Sequence, residues 1–91
     1  IALAVLAAIL SSNTDIPMPE DICLTGEVGL AGEIRPVPRL EQRITEARKL
    51  GFKKIIIPQE QKISQSFEGI EVIPVRKLPD AFRLLFGGNK K

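Results

Sequence analysis

The segment Thr25-Gly-Glu-Val-Gly-Leu-Ala-Gly-Glu-Ile-Arg-Pro-Val37 runs directly into Pro38-Arg-Leu-Glu-Gln-Arg-Ile-Thr-Glu-Ala-Arg-Lys-Leu-Gly51, and the other elements are arranged around these two. Glycines at positions 26, 29 and 32 interrupt a run that otherwise favours β structure. Glycine lets a chain turn sharply or approach another backbone closely. The pattern therefore predicts a strand, a tight loop and a second strand, followed by a helix.

The helix is predicted from the spacing of its apolar residues. Leu40, Ile44 and Ala47 recur at i, i+4 and i+7, and Leu50 extends the stripe. This spacing places them on one helical face, which we expect to be buried. Pro38 suits the first turn, because a helix start leaves its backbone N–H groups unpaired in any case.

Runs of β-branched residues and one further amphipathic run predict the remaining elements. Strands are expected at residues 21–28, 33–37, 53–58 and 69–75, and a closing helix at 78–86, ended by Gly87-Gly88. Pro36 predicts an edge position or an early end for the second strand. The polar stretch 59–67 shows no clear period, and Asn89-Lys90-Lys91 is expected to be a frayed tail. The order of elements predicts an α/β fold with helices packed on a small mixed sheet.

The chain opens with Ile-Ala-Leu-Ala-Val-Leu-Ala-Ala-Ile-Leu, which is apolar on nearly every side. Ten residues are too few to cross a bilayer, and no basic residues precede them, so neither a membrane span nor a signal peptide is predicted. A helix of this composition is expected to be buried centrally and to end at Ser11-Ser12-Asn13. We expect residues 1–91 to form one domain, the C-terminal piece of a longer protein.

Charge is distributed unevenly, although the formal net charge is only +2. Between Arg35 and Lys54 the only acidic residues are Glu41 and Glu46, whereas seven are basic. The basic set consists of Arg35, Arg39, Arg43, Arg48, Lys49, Lys53 and Lys54. Clustered basic residues indicate either a surface for a polyanion or an ordinary solvated helix edge.

Most catalytic and metal chemistries find no support in the composition. The chain has no His, which excludes Ser-His and Cys-His dyads, and no residue set for zinc is visible. The glycines match neither a dinucleotide fingerprint nor a P-loop. Glu27 and Glu33 could form an acid/base pair, but nothing in the sequence sets their separation. The single Cys23 is expected to be a buried core thiol in a reducing, cytoplasmic compartment.

Four segments together carry a resemblance to a known family. They are Thr25–Val37 as quoted above, Arg39-Leu-Glu-Gln-Arg43, Ala47-Arg-Lys-Leu-Gly-Phe-Lys-Lys-Ile-Ile-Ile-Pro58 and Gly69-Ile-Glu-Val-Ile-Pro-Val75. In this order they resemble the C-terminal Lon-protease-like domain of the RadA (Sms) family of bacterial DNA-repair proteins. The resemblance covers nearly the whole chain and implies a Lon proteolytic-domain-like fold, the fold of the second domain of a small-subunit ribosomal protein.

True Lon proteases use a Ser-Lys dyad, and the comparison implies that this chain lacks its lysine. The lysine position falls on Glu41, and the serine would lie just before Ile1. A carboxylate cannot replace an amine as the base of such a dyad without new partners. The resemblance therefore implies that this domain has no catalytic residues. Residual peptidase activity of the Lon type is the alternative.

For the parent protein the resemblance implies a DNA-dependent ATPase that acts on branched DNA as a hexameric ring. Within it, this domain is expected to supply ring contacts and a basic surface for the DNA backbone, led by Arg39, Arg43 and Arg35. ATP, Mg²⁺ and zinc are expected to bind elsewhere in the parent, with a recombinase of the same pathway as a partner. A pure oligomerisation scaffold, with DNA held by other domains, is a second alternative.

Overall fold

The computed structural model describes residues 1–87 and contains three helices and five short strands. Gly88 and the predicted tail Asn89–Lys91 lie outside the described residues. In chain order the elements are α1 (Leu3–Thr14), β1 (Ile22–Leu24), β2 (Glu27–Val28), β3 (Ile34–Arg35), α2 (Leu40–Lys49), β4 (Lys54–Pro58), β5 (Glu71–Val75) and α3 (Leu78–Phe86). The predicted α/β class is confirmed.

Both parallel and antiparallel strand pairs occur, and they belong to two separate sheets. A parallel sheet has the order β1-β4-β5, with Cys23 opposite Ile55 and Ile56 opposite Ile73. The antiparallel hairpin β2-β3 pairs Glu27 with Arg35. β3 ends immediately before Pro36, as the sequence predicted.

Gly26 explains why the strand predicted at 21–28 is two strands in the structure. Its φ of +145° turns the chain out of β1 and into β2, so the two segments belong to different ladders. A Cβ atom at Gly26 would lie 2.7 Å from Cγ2 of Ile34 and 3.7 Å from Cγ of Pro58. The position therefore requires glycine both for its backbone angle and for space.

The continuous apolar run of β4 separates two cores. Successive strand residues point to opposite faces, so Ile56 packs with α1 and α3, whereas Ile55 and Ile57 pack under α2. All three isoleucines are at most 3% exposed. Burial on both faces is typical of a central parallel strand, and the prediction for this segment is confirmed.

Helix α1 differs from its prediction in both burial and length. Only Leu3 and Ala7 are buried, while Val5 is 51% and Ile9 47% exposed, so the helix is not central. It packs against one face of the sheet, and its other side carries apolar residues to the surface. The helix continues to Thr14, whose hydroxyl donates to the carbonyl oxygen of Leu10 (2.9 Å), so the hydroxyl is paired within the helix.

Helix α2 has the predicted buried stripe but different ends. Leu40, Ile44 and Ala47 are at most 4% exposed, as predicted. Leu50 is 73% exposed and follows the last helical residue, so its assignment to the stripe is wrong. Pro38 is not in the first turn either, because Arg39 precedes the helix in a left-handed conformation with φ of 57°.

Candidate nucleic-acid interface

A groove of about 360 Å³ runs along α2 beside β1, one of the two edge strands of the parallel sheet. Arg39 and Arg43 line its rim, with Glu46 further along the helix. These residues are four and three positions apart, so helical geometry places them on one side of α2. Cys23 contributes from β1. The groove therefore has a basic end at the helix N-terminus and an acidic side chain toward its middle.

Local backbone geometry fixes the two arginines relative to each other. The backbone N–H of Arg43 donates to the carbonyl oxygen of Arg39 (3.0 Å), and Nε of Arg43 donates to the carbonyl oxygen of Pro38 (3.0 Å). Both side chains belong to exposed residues. The second bond uses one of the five guanidinium donors of Arg43, which leaves its terminal nitrogens able to face solvent or an anion.

Two ion pairs between side chains occur within residues 1–87: Glu33–Arg35 and Asp80–Arg83. In this part of the chain, no carboxylate neutralises Arg39 or Arg43 at ion-pair distance. Unpaired guanidinium groups on an exposed rim are suited to phosphate, because they can bind it without first breaking an internal salt bridge.

The other predicted site residues do not join this rim. Nη1 of Arg48 donates to the carbonyl oxygen of Glu68 (3.3 Å), on the side of α2 away from the groove. Helical geometry places Arg48 about 140° around the axis from Arg43. Arg35 lies on β3 with its Nε 3.8 Å from Oε2 of Glu33. The predicted basic set is therefore divided among several surfaces, and only Arg39 and Arg43 share one groove.

Three lysines of the predicted set lie toward the far end of α2. Lys49 is the last helical residue, Lys53 precedes β4 and Lys54 begins it. Lys49 and Lys53 are exposed, whereas Lys54 is half-buried. At 1.5 Å per residue, Lys49 lies about 15 Å from Arg39 along the helix axis. These lysines could extend a long contact but form no compact site with the arginines.

Residues 59–67, which we name the strap, fold back over the start of α2. The side-chain amide of Gln61 bonds both backbone groups of Val37, accepting from its N–H (3.0 Å) and donating to its carbonyl oxygen (2.6 Å). Oε2 of Glu41 accepts from the backbone N–H and the hydroxyl of Ser64, and Oε1 accepts from Gln65. Side-chain bonds to residues distant in the chain hold this segment in place, so its position does not depend on a regular period of apolar residues.

These hydrogen bonds lower the pKa of Glu41. The backbone N–H of Ser64 has the largest effect, followed by the Ser64 hydroxyl and the Gln65 amide, all of which stabilise the carboxylate. Since the folded pKa lies below the unfolded one, this contribution to stability is present above the ordinary carboxyl pKa. It is lost as the pH falls through the folded value.

We expect acidification to release the strap from α2. Amide shifts of Ser64 and Gln65, followed by NMR from neutral to acidic pH, should titrate with a pKa below the ordinary glutamate value. Glu41→Gln should remove this titration and raise amide exchange in the strap at neutral pH. Glu46→Gln, on the same helix, is the control and should change neither. Retained titration in Glu41→Gln would assign the transition to another group.

Cys23 lines the groove, and Glu33 lies in the hairpin turn. Cys23 is half-buried rather than part of the core interior, because it lies on an edge strand and lines the groove. Burial raises its thiol pKa, opposed by a hydrogen bond from Leu24, so the reactive thiolate is disfavoured at neutral pH. Glu33 caps the hairpin turn by accepting from the backbone N–H of Ala31 (3.1 Å).

Within residues 1–87, none of the helices combines the length and the apolar character that a membrane span requires. No group of three or more Cys, Asp or Glu side chains there is placed to hold a metal ion.

The chain is similar to one protein family and to several known proteins. Residues 1–85 match the family described as Lon protease (S16) C-terminal proteolytic domain. The DNA repair protein RadA of Haemophilus influenzae is 49% identical over 83 residues, which is 91% of this chain and 18% of that protein. RadA of Escherichia coli is 49% identical over 79 residues, 87% of this chain and 17% of the relative.

A protease is also among the relatives. The archaeal Lon protease of Methanocaldococcus jannaschii is 38% identical over 84 residues, covering 91% of this chain and 13% of that enzyme. The chain thus spans less than a fifth of the length of each of these three relatives. Both the family match and the RadA identities extend over most of this chain. The chain belongs to the family of Lon protease (S16) C-terminal proteolytic domains, in the form found at the C-terminus of the RadA DNA repair proteins.

Proposed function

We propose that this chain is a non-catalytic Lon-like domain of a longer RadA-type DNA repair and recombination ATPase in the cytoplasm. It holds the DNA backbone during branch processing and contributes contacts to a homohexameric ring. The ATP, Mg²⁺ and zinc sites belong to other parts of that protein, as does the contact with a recombinase. The similarity to RadA proteins over 87–91% of the chain supports the assignment to DNA repair.

The main support for the proposed DNA contact is the position of Arg39 and Arg43 on the rim of the α2 groove. Both are exposed, one helical turn apart, and free of the ion pairs found within residues 1–87. Arginine forks bind phosphate oxygens in a bidentate geometry. Phosphate contacts need no base readout, so the expected binding does not depend on sequence.

The hydrogen bonds of Glu41 support the absence of peptidase activity. At the position implied for the Lon lysine, this chain has a carboxylate with a lowered pKa that is bonded to Ser64 and Gln65. An acceptor engaged in three hydrogen bonds, and ionised at neutral pH, is a poor base for a serine hydroxyl. We therefore expect no cleavage of unfolded protein substrates by this domain.

The proposed DNA partner is duplex rather than single-stranded. Base stacking on a single strand requires exposed aromatic side chains among the basic residues. The chain has four aromatic residues, all Phe, and none of them lines the α2 groove. A surface with arginines but without an aromatic platform is suited to the backbone of a duplex.

The test is duplex DNA binding measured by fluorescence anisotropy over a salt series. Arg39→Ala/Arg43→Ala should weaken binding and flatten the log-log salt slope by about one to two units, since each lost phosphate contact removes about 0.9. Arg76→Ala/Arg83→Ala is the matched control, because it removes two exposed arginines from the β5–α3 side. It should leave the slope close to that of the wild type.

A scaffold without DNA contact is the second candidate, favoured by the exposed apolar side of α1. If neither the wild type nor the variants bind duplex at low salt while the wild type still self-associates, the scaffold replaces the DNA assignment. An equal effect of the control variant would show that net charge, rather than the α2 groove, determines binding.

A further inference from the structure

The connection between β3 and α2, residues 36–39, has few backbone groups with which to hold its shape. Pro36 and Pro38 have no N–H group, so Val37 is the only donor among the three residues before Arg39. Val37 is only 7% exposed, and a buried backbone group without a partner costs about as much free energy as a lost hydrogen bond. The conformation of the connection therefore depends on what pairs with Val37.

Gln61 of the strap supplies both partners of Val37. Its side-chain amide accepts from the N–H of Val37 (3.0 Å) and donates to the carbonyl oxygen of Val37 (2.6 Å). Opposite residues of antiparallel strands exchange the same two bonds, so a side chain here takes the place of a neighbouring strand. Within residues 1–87, the backbone of Val37 forms no other hydrogen bond.

The strap can hold the connection because it is itself attached to the sheet and the core. The backbone N–H of Gln59 donates to the carbonyl oxygen of Val75 on β5 (2.8 Å). Further along the strap, Ile63 and Phe67 pack against the core under α2. Gln61 lies between these attachments, so its amide reaches Val37 from a fixed position.

Both arginines of the α2 groove take their positions from this connection. Arg39 has φ of 57° and ψ of 45°, a left-handed conformation that is disfavoured by on the order of tenfold for a residue with a Cβ. Such a conformation persists only where the surrounding structure holds it. The carbonyl oxygen of Pro38 is the acceptor for Nε of Arg43 (3.0 Å). A connection that relaxed would release Arg39 and move the acceptor of Arg43.

We propose that Gln61 is a positioning residue for the DNA contact, because its bonds to Val37 keep Arg39 in the left-handed conformation. The same bonds keep the carbonyl oxygen of Pro38 in place for Arg43. This inference rests on the proposed function of the α2 groove. Gln61 does not line that groove, so it acts through the two arginines rather than by touching DNA. A rim that is already held loses less conformational entropy when it binds.

Gln61→Met tests the positioning without reference to DNA. Methionine keeps a long unbranched side chain but cannot make the two amide bonds to Val37. The exchange rate of the Nε–H proton of Arg43, measured by NMR, should rise on the order of tenfold, because its bond to Pro38 opens more often. Gln59→Met is the matched control, since Gln59 is an exposed glutamine of the same strap, and it should leave this rate unchanged.

Duplex binding in the salt series described above tests whether the positioning affects the DNA contact. If the rim keeps its wild-type arrangement about one tenth of the time, the affinity of Gln61→Met falls about tenfold. The effect should vanish in the Arg39→Ala/Arg43→Ala background, because a positioning residue acts through the groups it holds. Ile56→Val, in the core on the opposite face of the sheet, should lower the thermal midpoint without changing affinity, which separates positioning from stability.

Two results would overturn the positioning itself or its action through the arginines. One is an unchanged exchange rate of Arg43 in Gln61→Met, and the other is an equal loss of affinity with and without the two arginines. Faster exchange with unchanged affinity would overturn the role in DNA binding. If the wild type binds no duplex, the proposed function fails and the DNA role of Gln61 with it, whereas faster exchange would still support its hold on the arginines.

Discussion

Gly26→Ala is expected to lower the free energy of unfolding by about 2–4 kcal/mol, from backbone strain and overpacking together. The φ of +145° is a conformation that residues with a Cβ rarely adopt. The new methyl group would also lie 2.7 Å from Cγ2 of Ile34, which is only 3% exposed and cannot move into solvent. Chemical denaturation followed by circular dichroism measures this change directly.

Gly32→Ala is the matched control for the contribution of space. Gly32 also has a positive φ, +82°, but nothing lies within 4 Å of a Cβ built there. We expect it to cost only about 1 kcal/mol, the conformational penalty alone. A domain of this size has a total free energy of unfolding of about 5–15 kcal/mol. Gly26→Ala should therefore lower the denaturant concentration at the unfolding midpoint strongly, and Gly32→Ala should lower it modestly. Equal effects would mean that Ile34 moves aside without cost.

Ile44→Ala is expected to destabilise the domain by about 2–5 kcal/mol, the range for truncating a buried isoleucine. Ile44 is 0% exposed and lies in the core under α2 with Ile55 and Ile57. Removing its side chain leaves a cavity between helix and sheet, because both walls are held by other contacts. Thermal or urea unfolding would measure the loss, with the near-native helix content checked by circular dichroism.

Leu50→Ala tests whether Leu50 is exposed beyond the end of α2, as in the structure, or buried on its apolar face, as the sequence spacing predicts. The apolar spacing places both Leu50 and Ile44 on the predicted buried face of α2, yet Leu50 is 73% exposed. Its truncation should change stability by no more than about 0.5 kcal/mol. A loss comparable with that of Ile44→Ala would place Leu50 in the core and contradict the helix end at Lys49.

Much of the fold could be predicted because its elements have regular periods. The stripe Leu40, Ile44 and Ala47 identified the buried face of α2, and the run at Ile55–Ile57 identified a strand buried on both sides. The resemblance in four ordered segments identified the family, which the match over residues 1–85 confirms. Predictions were wrong where one residue changes the backbone direction, as at Gly26 and Arg39.

The candidate site could be predicted only in part. The basic residue types were evident, but their spacing along the chain did not show which of them share a surface. Helical geometry places Arg48 across α2 from Arg43, and Arg35 forms an ion pair with Glu33, two residues before it. Ser64 and Gln65 were missed as partners of Glu41, because their hydrogen bonds join residues more than twenty positions apart.

The sequence by itself determined the α/β class, the family and the charge of the central segment, since each depends on residue types and their local order. Which apolar side chains are buried within residues 1–87 depends on the tertiary packing. Helix α1 is apolar on nearly every side, but within these residues it packs on only one face of the sheet, so Leu3 and Ala7 are buried while Val5 and Ile9 are about half exposed. The tertiary structure also decided that Arg39 and Arg43 are without ion pairs within residues 1–87, because a salt bridge depends on distances between side chains that the chain order does not fix.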